Sequence, residues 1–269
     1  MLEGRTIAVL TGAGVSTESG IPDYRSPARS QARERRPIHG PEFVRSATLR
    51  RRYWARAMAG WERFRLAQPG PSHRALAQLE ARGLLSGLVT QNVDRLHHAA
   101  GSRSVIELHG ALAEVVCLDC GVLDDRDAVQ ERMREQNPEW LGGPDGEHRM
   151  APDGDAELPD SLVERFVGPV CVQCGGVLKP NVVFFGHNVA KPIVDAAYDV
   201  VARADVLLVA GTSLAVFSGY RFLLRAAERG IPIVILNRGP VRGEARAALK
   251  IEESTGDTLT ALATELAHA

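Results

Sequence analysis

Four cysteines fall in two close pairs. Cys117 and Cys120, then Cys171 and Cys174, form C-x2-C knuckles with 50 residues between them. A two-residue gap lets two thiolates turn toward one ion, and two knuckles complete a closed tetrahedral site. Gly175 and Gly176 suit the tight turn of the second knuckle. The alternatives are a redox C-x2-C pair or buried free thiols, but two matching pairs favour zinc. With sulfur at all four positions no place is left for substrate or water. The ion is therefore expected to be structural, folding the stretch that the knuckles enclose.

A second kind of chemistry sits in glycine turns and polar loops. Ile7-Ala8-Val9-Leu10-Thr11-Gly12-Ala13-Gly14-Val15-Ser16 reads as a strand entering a glycine turn. Such a turn lets backbone N–H groups approach a pyrophosphate at a helix N-terminus. The third glycine of the dinucleotide fingerprint is missing, since position 17 is Thr, and no acidic residue follows a second strand at the usual distance. An ordinary strand-to-helix turn is the competing reading. Other polar clusters also end strands: Thr90-Gln91-Asn92-Val93-Asp94, His109-Gly110, Gly211-Thr212-Ser213 and Asn237. Ligands sit at the carboxyl ends of parallel strands, so these residues belong to one candidate site.

The elements that must position them follow from hydrophobic pattern. Short β-branched runs recur at Thr6–Leu10, Gly87–Thr90, Val105–Leu108, Val206–Ala210 and Ile233–Leu236. Helix-like stretches such as His73–Arg82 and Lys191–Arg203 lie between them. Alternation of this kind predicts an α/β fold: a Rossmann-like parallel sheet with helices on both faces. Two segments break the rhythm. One, over 29–71, is Arg-rich and reads as a helical insertion, with Phe43, Val44, Leu49, Tyr53, Trp54, Met58 and Trp61 as packing candidates. The other holds both knuckles, and within it Asn137–Pro159 is so dense in Gly, Pro and Asp that an exposed loop is predicted.

The composition, 45% apolar and 24% charged over 269 residues, allows one large domain with insertions. A formal net charge of -1 gives no global field for nucleic acid or an anionic membrane. The arginines between Arg25 and Arg56 and the acids between Glu135 and Asp160 read as solvated faces. No apolar run approaches the ~20 residues of a membrane span, and no secretory leader pattern opens the chain. A cytoplasmic monomer without membrane or nucleic-acid partners is the expectation.

Taken together, the motifs resemble the sirtuins. Gly12 to Arg25 matches GAGxSxxSGIPD[FY]R, Thr90 to Asp94 matches TQNVD, and His109-Gly110 matches HG. The knuckles, Lys179 to Gly186 and Gly211-Thr212-Ser213 match in family order. Arg52 to Arg56, Ala151 to Asp155 and Ser218 to Phe222 resemble the class II branch. That branch includes a mitochondrial member associated with ADP-ribosyl transfer and removal of unusual acyl groups.

The resemblance implies an NAD-dependent protein-lysine deacylase that passes the acyl group to ADP-ribose and releases nicotinamide. NAD is a consumed co-substrate, the partner is acylated lysine in proteins, and one structural zinc ion is bound. It implies an NAD-binding domain over 1–28, 72–115 and 178–269, the helical insertion over 29–71, and a zinc module with a long loop over 116–177. His109 is then the general base for a ribose hydroxyl, a task that suits an imidazole near pKa ~6.5. Asn92 and Asp94 orient the ribose and its water. Gly12, Ala13, Gly14 and Ser16 hold the phosphates with Arg25 nearby, and Asp23, Tyr24 and Gln91 form the nicotinamide pocket. Gly211, Thr212, Ser213, Asn237, Arg238 and Thr255 face the adenosine half. Val182, Val183 and Phe184 present backbone to a substrate peptide as an added strand. Tyr53 and Arg56, three apart on a helix, resemble a Tyr-x-x-Arg pair that grips an acidic acyl chain. The alternative is that Arg56 is one more surface arginine. Rival readings of the whole chain are a protein mono-ADP-ribosyltransferase and a non-catalytic NAD-sensing module.

Overall fold

The computed structural model describes residues 2–23, 38–138, 140 and 158–267. Nine strands occur among them: β1 (Ile7–Thr11), β2 (Leu85–Thr90), β3 (Val105–Glu107), β4 (Gly110–Cys117), β5 (Leu123–Asp125), β6 (Leu178–Val182), β7 (Val206–Ala210), β8 (Ile233–Leu236) and β9 (Leu249–Ile251). The helices of six residues or more are α1 (Gly40–Arg45), α2 (Ala47–Arg65), α3 (Pro71–Ala81), α4 (Arg126–Gln136), α5 (Lys191–Ala202), α6 (Phe217–Glu228) and α7 (Thr255–Glu265). A 3-10 helix spans Ala13–Ser19. The chain divides into two units, Met1–Asp23 with Gln68–His109 and Asn188–Ala269, and Tyr24–Ala67 with Gly110–His187.

The first unit is built on a six-stranded sheet in the order β3-β2-β1-β7-β8-β9. Every pairing in it is parallel. The chain works outward from β1 on one side and from β7 on the other, the doubly wound order with its switch point between those two strands. β1 and β7 are buried along their whole length. Strands covered on both faces read as unbroken apolar runs, which is why the sequence located them closely. Alternate residues Ile7, Val9, Val206, Leu208 and Val234 meet Leu76 and Leu79 of α3 and Leu259 of α7. On the opposite face, a Cβ at Gly87 would stand 2.8 Å from Val200 Cγ2, so its absence lets α5 lie close on β2. The parallel sheet with helices agrees with the sequence expectation. β9, three residues with an exposed Leu249, escaped it for lack of an apolar run.

The second unit holds an antiparallel sheet in the order β5-β4-β6. α2 starts at Ser46, whose Oγ accepts the Leu49 N–H at 3.1 Å. Its buried face carries Tyr53, Trp54, Met58 and Trp61. Phe43 on α1 is fully enclosed, but Val44 is 46% exposed and so is no packing residue. On a helix of 3.6 residues per turn, the neighbour of an inward side chain points elsewhere. α4 was not expected, because its sequence is mostly charged. It docks through Val129 and Met133, both fully buried, and through polar groups: Arg126 is 3% exposed, its guanidinium lies 4.7 Å from the Trp61 ring centre, and Nη2 donates to the Ala57 carbonyl at 3.1 Å. Trp54 is 1% exposed and donates from Nε1 to the Leu178 carbonyl at 3.3 Å. Trp54→Ala is expected to cost ~3–5 kcal/mol of stability in urea unfolding. A loss under about 1 kcal/mol would contradict this packing account.

Candidate active site

Three strand ends of the first unit come together. Gly12 and Gly14 follow β1 and lie directly on the turn that follows β7. A Cβ at Gly14 would stand 2.8 Å from Gly211 Cα, and one at Gly12 would stand 2.6 Å from Thr212 Cβ. Gly211 itself has φ +60 and lies as close to Val15. The Gly12 N–H donates to the Ala210 carbonyl at 3.2 Å and that of Gly14 to the Gly211 carbonyl at 2.8 Å. These two amides, expected to face a phosphate, are therefore engaged by β7. The glycines' first task is to let two strand ends touch.

Gln91 bridges the same two ends. Its Nε2 donates to the Thr11 carbonyl at 3.1 Å and to Thr212 Oγ1 at 3.0 Å. Its backbone carbonyl lies 2.9 Å from His109 Nδ1. A carbonyl only accepts, so Nδ1 must carry the proton. That leaves Nε2 as the ring's lone pair in the neutral form, and the Ser218 hydroxyl, 2.8 Å away, donates to it. Burial lowers the His109 pKa, opposed by the Gln91 carbonyl. The ring is thus held neutral, in one tautomer, with a fixed base atom.

Asn92 donates from Nδ2 to the Gly12 carbonyl at 3.1 Å and to Ser16 Oγ at 3.0 Å. Ser16 in turn donates to Asp94 Oδ2 at 2.7 Å. The other Asp94 oxygen accepts the Leu96 N–H at 2.9 Å and starts the short helix there. Thr255 lies near the Gly14 carbonyl at 3.5 Å, and Asn237 donates to the Arg238 carbonyl at 2.9 Å. Asn237 is buried, Ala13, Asp23 and Ser213 are half-buried, and Arg238 is exposed. Tyr24 and Arg25 lie outside the described residues.

Sequence reading missed two histidines beneath this network. His73 accepts the Gly70 N–H at Nδ1, 3.1 Å, and so donates from Nε2 to Ser16 Oγ, 3.4 Å. His97 lies edge-on to it at 4.7 Å and reaches Thr11 Oγ1 from Nε2 at 3.0 Å. Both side chains are buried. Burial, helped by Arg74 and opposed by Asp94, holds the His73 pKa down at about 4. Burial also keeps His97 well below its ordinary value. No motif spacing marks either residue; His73 is a lone histidine in a helix, and His97 stands beside His98 in another.

In the second unit, Gly110 has φ +77, and a Cβ there would stand 2.0 Å from the Asn181 carbonyl oxygen, so the HG motif needs glycine to admit β6. β6 ends at Val182, leaving Val183 and Phe184 beyond the ladder and half-buried. Tyr53 is 4% exposed, ringed by Phe43 at 5.6 Å and Phe184 at 5.7 Å; Arg56 is half-buried one turn on. The four cysteine sulfurs lie within 4.8 Å of one another. Cys117 and Cys174 are 3.6 Å apart, Cys120 and Cys171 3.7 Å. A tetrahedron with Zn–S of ~2.3 Å has edges of about 3.8 Å, which these two separations match, so the cluster suits one zinc ion. The Cys120 N–H, 3.5 Å from Cys117 Sγ, helps draw that thiol down to about 7, toward the ligating thiolate.

Residues 12–218 match the Sir2 family. The chain is 51% identical over 260 residues to the human NAD-dependent protein lipoamidase sirtuin-4, mitochondrial, covering 95% of this chain and 81% of the relative. It is 47% identical to NAD-dependent protein deacetylase 1 of Mycobacterium avium (strain 104), covering 99% and 93%. Among solved structures, a Sir2–p53 peptide–NAD+ complex matches with a TM-score of 0.77 at 29% identity, covering 100% of this chain and 96% of the other. The human relative's mitochondrial name overturns the expected cytoplasmic location. That expectation rested on general composition and the lack of a leader pattern, whereas cellular address is written in targeting segments that a catalytic fold does not report.

Two outcomes follow from these geometries. Histidines in the unfolded chain titrate near ~6.5, while His73 and His97 stay neutral in the fold to lower pH. Protonation therefore favours unfolding. Their contribution is complete above ~6.5 and is lost as pH falls from there toward about 4. Urea midpoints should drop between pH ~7.5 and ~5, and His73→Gln should flatten the trend; an equal slope in both proteins would contradict it. Separately, stripping the metal with a strong chelator should lower the unfolding midpoint, since ligation energy is folding energy. An unchanged midpoint after confirmed metal loss would exclude a structural ion.

Proposed function

This chain belongs to the Sir2 family and is an NAD-dependent protein deacylase acting on acylated lysine; on that premise we propose that His109 is its general base. NAD supplies the leaving nicotinamide and the ADP-ribose that receives the acyl group. The observation that carries the proposal is the tautomer of His109. Its Nδ1–H is committed to the Gln91 carbonyl, so Nε2 is the only ring atom able to take a proton. A lowered pKa keeps that atom unprotonated at neutral pH. The proton of a ribose hydroxyl passes to Nε2, and the imidazolium that forms keeps its Nδ1–H bond to Gln91.

Around the base, Asn92 and Asp94 orient the ribose through a network already tied to Ser16 and the Gly12 carbonyl. Gly12, Ala13, Gly14 and Ser16 line the phosphate path. Asp23, Tyr24, Arg25 and Gln91 serve the nicotinamide end, and Gly211 to Ser213, Asn237, Arg238 and Thr255 the adenosine end. In the second unit, Val183 and Phe184 continue past the last β6 ladder residue; the Phe184 carbonyl is taken by the His187 N–H at 3.0 Å, and the Val183 backbone would pair with a peptide strand. An acyl chain bearing a carboxylate would find Tyr53 and Arg56 on one face of α2. The zinc ion, closed by four thiolates, takes no part in the reaction. We propose a monomer without nucleic-acid or membrane partners. A net charge of -1 supports this for nucleic acid. No helix among the described residues is long and apolar enough to cross a membrane.

His109→Ala is expected to keep NAD binding and to lose at least ~10²-fold in deacylation, scored by mass spectrometry over a panel of acetyl, succinyl and lipoyl peptides. Deacylation at the wild-type rate would remove His109 from the mechanism. A target that gains ADP-ribose instead of losing its acyl group would favour mono-ADP-ribosyl transfer.

A further inference from the structure

The contact between Ser218 and His109 is absorbed by none of the roles above. Ser218 occupies the first turn of α6, behind the N-cap Val216, and its Oγ lies 2.8 Å from the ring's free nitrogen. The next residue, Gly219, is equally constrained. A Cβ there would stand 2.4 Å from Gln91 Oε1, so glycine leaves room for the side chain of the residue whose carbonyl fixes the opposite edge of the same ring. Two successive residues of α6 thus shape both ends of the Gln91–His109 pair.

We propose that Ser218 is a positioning residue that occupies the lone pair of His109 until a substrate hydroxyl displaces it. This rests on His109 being the base. Ser218 has one hydroxyl proton, and turned toward Nε2 it serves the neutral imidazole as a donor. Before reaction its O–H donates to Nε2 and holds the ring plane. When the ribose hydroxyl approaches, the serine O–H turns away. The ribose proton moves to Nε2 while its electron pair stays on oxygen. No bond to Ser218 forms or breaks in this sequence.

Charged neighbours do not offer a competing explanation. On α6, the Arg221 guanidinium lies over the Phe217 ring at 5.1 Å, and Tyr220 faces the Arg242 guanidinium at 4.3 Å. Asp94, on the loop after β2, is engaged by Ser16 and the Leu96 N–H. The remaining influences on the ring are its burial and the Gln91 carbonyl.

A hydrogen bond donated to a lone pair stabilises the neutral ring, so losing it raises the tendency to protonate. Ser218→Ala should raise the His109 pKa in the free protein by about half a unit or more, read by NMR titration of the imidazole. The acidic limb of kcat/KM for NAD should rise in pH by the same amount, measured with the acyl-lysine peptide turned over fastest. The limb of kcat should stay in place, because in the complex the ribose hydroxyl has already replaced the serine. Ser218→Thr, which keeps the hydroxyl, should restore the wild-type profile. An unmoved ring pKa in Ser218→Ala, or a threonine variant that behaves like alanine, would overturn the proposal. The NMR reading does not depend on turnover, so it judges Ser218 even if His109→Ala shows that the base lies elsewhere.

Discussion

Gly14 touches Gly211, and neither position has room for a side chain. This contact joins the ends of β1 and β7 at the switch point of the sheet, and the rest of the site hangs on it. With those ends together, the Thr11 carbonyl and Thr212 Oγ1 stand where one amide can bridge them, and Gln91 does so. A clamped Gln91 presents its carbonyl in one direction. That direction fixes Nδ1 of His109 as the protonated nitrogen and leaves Nε2 as the base. A backbone constraint at the glycines thus becomes a choice of tautomer three residues' worth of contacts away.

The same region keeps three histidines uncharged, each chiefly by burial. His73 and His97 are sealed beneath the loop and serve as neutral hydrogen-bonding groups for Ser16 and Thr11. His109 is less enclosed at its edge and keeps one nitrogen toward an exchangeable hydroxyl partner. Buried imidazoles that stay neutral cost stability on acidification, yet they supply directional partners without placing net charge beside an anionic co-substrate. The second unit solves a separate problem. Its four thiols are gathered within 4.8 Å of one another, two of the separations at the edge length of a zinc tetrahedron, so one ion can tie both knuckles together.

Much of the central sheet was legible because parallel strands buried on both faces leave continuous apolar runs, as in Val206–Ala210 and Ile233–Leu236. The cysteine pairs were legible because ligand spacing is local. Less legible were features set by contacts between distant residues. α4 is mostly charged, yet it buries Arg126 and Gln130 beside Val129 and Met133, against the rule that charge marks a solvated face. Val44 looked like Phe43 in composition and differs only in which way the helix turns it. The sequence marks the first loop as a glycine turn but not that Gly12 and Gly14 also make room for Thr212 and Gly211. His73 and His97 carry no motif at all, and the class II resemblance over Ser218 to Phe222 gives Ser218 no role; only the fold brings the three to the site.

The site's chemistry turns on the state of one imidazole. Long-range nitrogen–proton NMR of the His109 ring at neutral pH distinguishes its tautomers directly. The geometry predicts a neutral ring with the proton on Nδ1 and a bare Nε2. A proton on Nε2, or a doubly protonated ring at pH ~7.5, would contradict the derivation of the base from the Gln91 carbonyl.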